Sequence, residues 1–234
     1  MNIITNQKLL RRYTILAQVG MLGGLAVLAA GMFFSFRNPN NPYASTISLI
    51  ALFFGFMLSQ VGIYYSNRYA RRPRPDELLN QALKGLDGRY TLFHYCSPVS
   101  HLLVGPSGIW VLEPRFQRGE ISFANGRYKQ KGGNLYLKLF AQEGLGRPEL
   151  EISSAKDKLT AFLTKNMPAE EIPEVQAALI FTHPNVKLNI SEEEALPATT
   201  VTRDQLKEAV RKTRKTKGIG PVLQQQILDL LPKE

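Results

Sequence analysis

"SHLLVGPSGIWVLEPRFQRGEI", Ser100 to Ile121, is the stretch on which the reading of this chain turns. Two apolar runs flank a Gly-Pro-Ser-Gly turn, in which Pro106 suits the second position of a type I turn and Gly108 the fourth. A tight turn here pairs Gly105 with Gly108 and, continued along the strands, Ser100 with Glu113. Side chains alternate along a strand, so Glu113 and Arg115 share one face and Ser100 joins them across the ladder. His101 and Leu112 point to the other face. A slip of one residue would destroy the grouping. Leu102 to Val104 and Ile109 to Leu112 are apolar on both sides, which predicts central strands of a covered sheet. Pro114 removes a ladder donor, so the strand is expected to end or bulge there and to re-aim Arg115.

Outward from the hairpin, the chain alternates helical and strand patterns. "DELLNQALKGL" (76–86) has helical spacing, with Asp76 as a cap and Gly85 and Gly88 at its end. "RYTLFHYCS" alternates as a strand. "GEISFANGRYKQKGGNLYLKLF" predicts short strands with turns at Asn125-Gly126 and Gly132-Gly133. "ELEISSAKDKLTAFLTKN" reads as a helix capped by Ser153 or Ser154, and "VQAALIFTH" as an apolar strand. In "TTVTRDQLKEAVRKT" Thr202 and Gln205 have the spacing of a capping box. A last helix follows Gly220-Pro221. The fold class is therefore mixed α/β, with a domain spanning 76–234.

Ahead of that domain the chain changes character. Tyr13 to Phe36 and Tyr43 to Asn67 carry no charged residue. Each is about 36 Å long as a helix, against a hydrocarbon core of about 30 Å. The first run is longer than the apolar core of a signal peptide, and a second follows closely. The expectation is a transmembrane helical hairpin over 13–67, after a cytoplasmic segment 1–12 and before a basic, proline-broken linker 68–75. Lys8, Arg11 and Arg12 precede the first span, and Arg68, Arg71, Arg72 and Arg74 follow the second. The connecting loop carries Arg37 alone. The positive-inside rule then puts both termini in the cytoplasm and makes the cell membrane the location. Gly20 and Gly24, and Gly55 and Ser59, are small-xxx-small pairs suited to packing the hairpin on itself or to pairing two copies as a homodimer.

The net charge of +10 needs dividing before it implies a partner. Arg37 and the seven flanking residues just named are eight of the 29 basic residues. That leaves 21 basic against 19 acidic side chains from Asp76 onward, close to balance. Most of the excess is thus a topological signal and a contact for anionic lipid in the bilayer. Two clusters remain as candidate nucleic-acid contacts. Arg127, Lys129 and Lys131 interleave with Tyr128 and Tyr136, a single-strand-binding composition that an edge hairpin guarded by lysines would share. Arg211, Lys212, Arg214 and Lys215 fall in "RKTRKTK", which a solvated helix end also explains. "KGIGPVLQQQIL" has the Gly-x-Gly turn of a phosphate-holding helix pair, or simply a break before a proline-started helix. Cys96 is the only cysteine, so no internal disulfide forms. His94, His101 and His183 lack the spacing of zinc ligands.

The hairpin, with its helix upstream, resembles the signature of the nuclease-related domain (NERD) family, itself similar to restriction endonucleases of the PD-(D/E)xK fold. That pattern has a helix glutamate, Asp-His before an apolar strand, a Gly-Pro-x-Gly turn, and a strand ending Glu-x-Lys. The resemblance covers roughly residues 76 to 215 and is most specific in the hairpin. It implies a restriction-endonuclease-like mixed sheet flanked by helices, with Mg²⁺ held by the Asp and the Glu and water positioned by the Lys. By position, Glu77 answers to the helix glutamate, Glu113 to the strand glutamate and Arg115 to the lysine, while the aspartate position holds Ser100.

These departures matter chemically. A hard dication needs anionic oxygens, and serine offers a neutral hydroxyl. Arginine keeps its proton where lysine can give it up. The sequence therefore reads as a membrane-anchored, catalytically degenerate nuclease-fold module that binds nucleic acid or another membrane protein. No metal or cofactor is expected; Mg²⁺ would enter, on Glu113, only were the site active. The alternatives are an active Mg²⁺-dependent nuclease with an altered site, and a membrane scaffold without a nucleic-acid role. A second carboxylate brought to Glu113 would favour activity.

Overall fold

The computed structural model describes residues 1–132, 140, 144–191 and 194–232. It divides into two compact units, one built on Gln7–Arg74 and the other on Met1–Asn6 with most of the chain from Pro75 onward. The first unit is two long helices, α1 (Gln7–Arg37) and α2 (Ala44–Tyr65), the latter running into a π-helical turn at Ser66–Ala70. Both are long and apolar enough to cross a membrane. In their most apolar stretches, 17% and 11% of residues are buried, so these are not the sequestered helices of a soluble core. Leu22, Leu25, Phe33, Phe36, Leu49, Phe53 and Phe54 are exposed. The small residues are spent between the two helices. A Cβ on Gly20 would lie 2.8 Å from the Gly62 Cα, and one on Gly24 would lie 2.7 Å from the Gly55 carbonyl oxygen. Ser48 Oγ donates to the Gly31 carbonyl across the same seam at 2.9 Å.

The second unit is a mixed α/β fold. Six strands form one sheet in the order β1-β2-β3-β4-β7-β9. They are β1 (Asn2–Thr5), β2 (Thr91–His94), β3 (His101–Gly105), β4 (Gly108–Arg115), β7 (Val175–Phe181) and β9 (Thr199–Thr202). β2, β3 and β4 form an antiparallel meander, and β1, β7 and β9 add in parallel. A second sheet, β6-β5-β8, comprises β5 (Gly119–Ala124), β6 (Arg127–Lys131) and β8 (Val186–Asn189). The helices are α3 (Pro75–Ala82), α4 (Pro148–Asn166), α5 (Leu206–Lys217) and α6 (Pro221–Leu230).

The central strands β3, β4 and β7 are buried on both faces, as their unbroken apolar runs require. One face packs Val111, Leu102 and Leu179 against Ile152 and Leu159 of α4 and Ile227 of α6. The other packs Trp110, Leu112 and Leu103 against Leu79 of α3, Leu83 just after it and Val210 of α5.

Several expectations change. A strand not foreseen lies ahead of α1, where Asn2 to Thr5 pair with Thr91 to His94 in the main sheet. α4 starts at Pro148 after Arg147 with no side-chain cap, so Ser153 and Ser154 lie inside the helix. The strand β4 neither ends nor bulges at Pro114, because the parallel ladder to β7 continues to Arg115 opposite Phe181. The Arg115 carbonyl accepts from the Thr182 N–H at 2.8 Å, so residue 115 turns its backbone toward β7. Pro114 therefore turns away from β7, toward the side where β3 has already ended, and its missing N–H costs no ladder bond. The capping box forms as read, with the Thr202 N–H donating to Gln205 Oε1 at 3.0 Å. Residues 133–139, on which the further strand with Tyr136 was expected, lie outside the described residues.

Candidate functional site

The hairpin takes the register expected of it: Gly105 pairs with Gly108, Val104 with Ile109 and Leu102 with Val111. Glu113 and Arg115 consequently follow Val111 onto the α4 face of the sheet. Ser100 stands one residue before β3 and is exposed, so the ladder stops short of bringing it to Glu113. Glu77 rides on α3, whose buried leucines pack on the opposite face. Of the four residues singled out by position, the structure joins two.

What it adds is Glu151, from the first turn of α4. Arg115 Nη2 donates to Glu151 Oε2 at 2.5 Å and lies 3.2 Å from Glu113 Oε1. The three side chains are 13%, 41% and 23% exposed respectively, so the arginine is the most enclosed and both acids reach it from its rim. A second carboxylate therefore does approach Glu113, but with a guanidinium between them. Both carboxylates are ion-paired to the same guanidinium nitrogen, a cation that keeps its proton. Arg115 Nε and Gln117 Oε1 are buried without a hydrogen-bond partner among the described residues, so polar capacity is left at this end of β4. Among the described residues, no group of three or more His, Cys, Asp or Glu side chains is gathered as a metal site.

On the other face, two histidines that the sequence left unassigned meet. His94 and His101 are cross-strand partners. Their Nδ1 atoms are 2.8 Å apart, and His94 Nε2 is 3.0 Å from Asn80 Oδ1 on α3. With the amide oxygen toward the ring, His94 must donate from Nε2, which leaves its Nδ1 as acceptor for the His101 Nδ1–H. The network ties together three elements, α3, β2 and β3. Burial pushes the His101 pKa well below the ordinary imidazole value, and His94 beside it pushes the same way. The unfolded chain takes up a proton near pH 6.5 that the folded chain refuses, so this stabilisation is complete above that pH and is lost as pH falls below it. Thermal unfolding from pH 8 to pH 5 should show stability declining below about 6.5, approaching about 1.4 kcal/mol per pH unit. His101→Phe should flatten that decline; an equally steep one in the variant would show that other groups drive it.

The basic clusters are also placed. Arg127, Lys129 and Lys131 alternate along β6 and are exposed on one side of this edge strand. Tyr128 is not a stacking platform. It is 5% exposed, packs on Phe123 and shares a hydrogen bond with Thr200 Oγ1 at 2.5 Å. Arg211, Lys212, Arg214 and Lys215 all lie on α5 and are exposed. In the turn between α5 and α6 the Ile219 N–H donates to the Pro106 carbonyl at 3.3 Å, so this amide is not presented to a phosphate.

Set beside known proteins, the chain matches no family model, no curated protein and no solved structure.

Proposed function

We propose that this chain is a membrane-anchored relative of the nuclease-related domain, restriction-endonuclease-like in fold. In this reading its cleavage site is filled by its own arginine, and the domain binds nucleic acid at the cytoplasmic face. The observation that carries the reading is Arg115 lying between Glu113 and Glu151. A hydrolytic site needs that position for a divalent cation that polarises phosphate and activates water. A guanidinium there neutralises charge but cannot generate a nucleophile.

The anchor is supported from two directions. Because β1 pairs with β2, the residues before α1 and those after α2 must lie on the same side of any bilayer the two helices cross. Lys8, Arg11 and Arg12 at one end, and Arg68, Arg71, Arg72 and Arg74 at the other, make that side the cytoplasmic one. Nucleic-acid binding is supported by the exposed cations of β6 and α5, which lie on the folded domain and apart from the topological charges. The chain in detergent should bind DNA with a log–log salt slope of about −3, as three or four phosphate contacts require. A slope near zero would reject nucleic acid and leave a protein partner as the reading.

A further inference from the structure

Between the turn that follows α3 and the outer side of α5 lies an open cleft of about 580 Å³. That volume is in the range of small-molecule sites. Leu86 and Tyr90, both buried, line it together with Asp87, Arg211, Arg214 and Lys215. The three cations are spaced i, i+3, i+4, so one side of α5 delivers them all. Lys212, between them in sequence, does not line the cleft. The cluster "RKTRKTK" is thus divided by the helix into a cleft-facing set and a remainder.

Two details make the cleft more than a solvated helix face. Arg211 Nη2 donates to the Gly85 carbonyl at 2.9 Å, which fixes that guanidinium at the lip before any ligand arrives. The one acid present is already engaged. Asp87 accepts from the Arg89 N–H at 3.0 Å and from Arg89 Nε at 3.1 Å, and is also ion-paired to Arg89 Nη2. Arg89 holds that carboxyl below its usual range, with a smaller push from Arg214. Among the described residues the three cations share the cleft with Asp87 alone, whose main partner is Arg89, above a floor that is apolar and aromatic.

We propose that this cleft binds a phosphate group, with Arg211, Arg214 and Lys215 supplying charge-assisted hydrogen bonds. The group can come from a free nucleotide or from a nucleic-acid backbone; the second source rests on the function proposed above, and the first does not. The test uses the full chain in detergent micelles, with AMP, adenosine and a short fluorescent oligothymidylate as probes. The variants are Arg214→Ala/Lys215→Ala, whose side chains are exposed and whose folding is checked by thermal melting, and Lys212→Ala as control. AMP should bind at least about tenfold more tightly than adenosine, and the double variant should lose at least about tenfold for phosphate-bearing probes. Lys212→Ala should change neither by more than about twofold. Loss of AMP binding in the double variant, with no oligothymidylate binding in any form, would uphold the cleft and overturn the nucleic-acid reading. Parallel loss for both probes would uphold both. AMP binding no tighter than adenosine, with oligothymidylate binding unchanged in the double variant, would overturn the cleft.

Discussion

Trp110→Ala should lower the stability of the sheet-bearing unit by about 3–5 kcal/mol, a large part of the roughly 5–15 kcal/mol that holds a domain folded. Trp110 is 0% exposed at the centre of β4, on the face that meets Leu79 of α3, Leu83 just after it and Val210 of α5. The indole also ties down the turn that sets the register, since Nε1–H donates to the Ser107 carbonyl at 3.2 Å. Trp110→Phe separates the two contributions: it keeps most of the volume and loses the hydrogen bond, for about 1–2 kcal/mol. Pulse proteolysis in urea, applied to the full chain in detergent, measures both. A cost below about 1 kcal/mol for the alanine variant would mean that this face is not the packed core described here.

Gly62→Leu should separate the two long helices, at a cost of about 3 kcal/mol, the upper end for overpacking. A Cβ at position 62 would lie 2.7 Å from the Gly20 carbonyl carbon, and backbone cannot rotate out of the way as a side chain can. Gly23 provides the contrast within the same helix pair, because a Cβ there meets a Leu58 methyl at 3.3 Å. Gly23→Ala should be tolerated within about 1 kcal/mol, helped by the better helix propensity of alanine. The readout is thermal and denaturant unfolding of each variant of the full chain in detergent. In proteoliposomes the native Cys96 also reports the side on which the domain lies. It should resist a membrane-impermeant reagent in vesicles that keep the cellular orientation; external labelling there would contradict a cytoplasmic domain.

Much of the fold was legible because its signals are local. The Gly105–Gly108 turn sets the β3–β4 register, and the doubly apolar strands identify their own place in the sheet. The Thr202–Gln205 capping box needs four consecutive residues and nothing else. What escaped depends on contacts distant in sequence. β1 is four residues long, too short to show a period, and it exists because β2 offers an edge 89 positions later. Glu151 sits 36 residues from Arg115 on a helix whose pattern says nothing about which carboxylate will face the sheet. Pro114 misled because the rule against proline in strands concerns the ladder side, and the side was not visible until β3 was seen to end at His101. The His94–His101–Asn80 network was missed for a related reason. Histidine spacing was tested against metal ligands, whereas these rings are each other's partners.

In the function proposed above, Arg115 occupies the cation position between Glu113 and Glu151 and the site does not cut. The direct measurement is cleavage of supercoiled plasmid and of single-stranded DNA by this chain in detergent, with Mg²⁺ or Mn²⁺ supplied. The account predicts no cleavage above that of a Glu113→Ala control. Metal-dependent cleavage by the native chain that Glu113→Ala abolishes would contradict it.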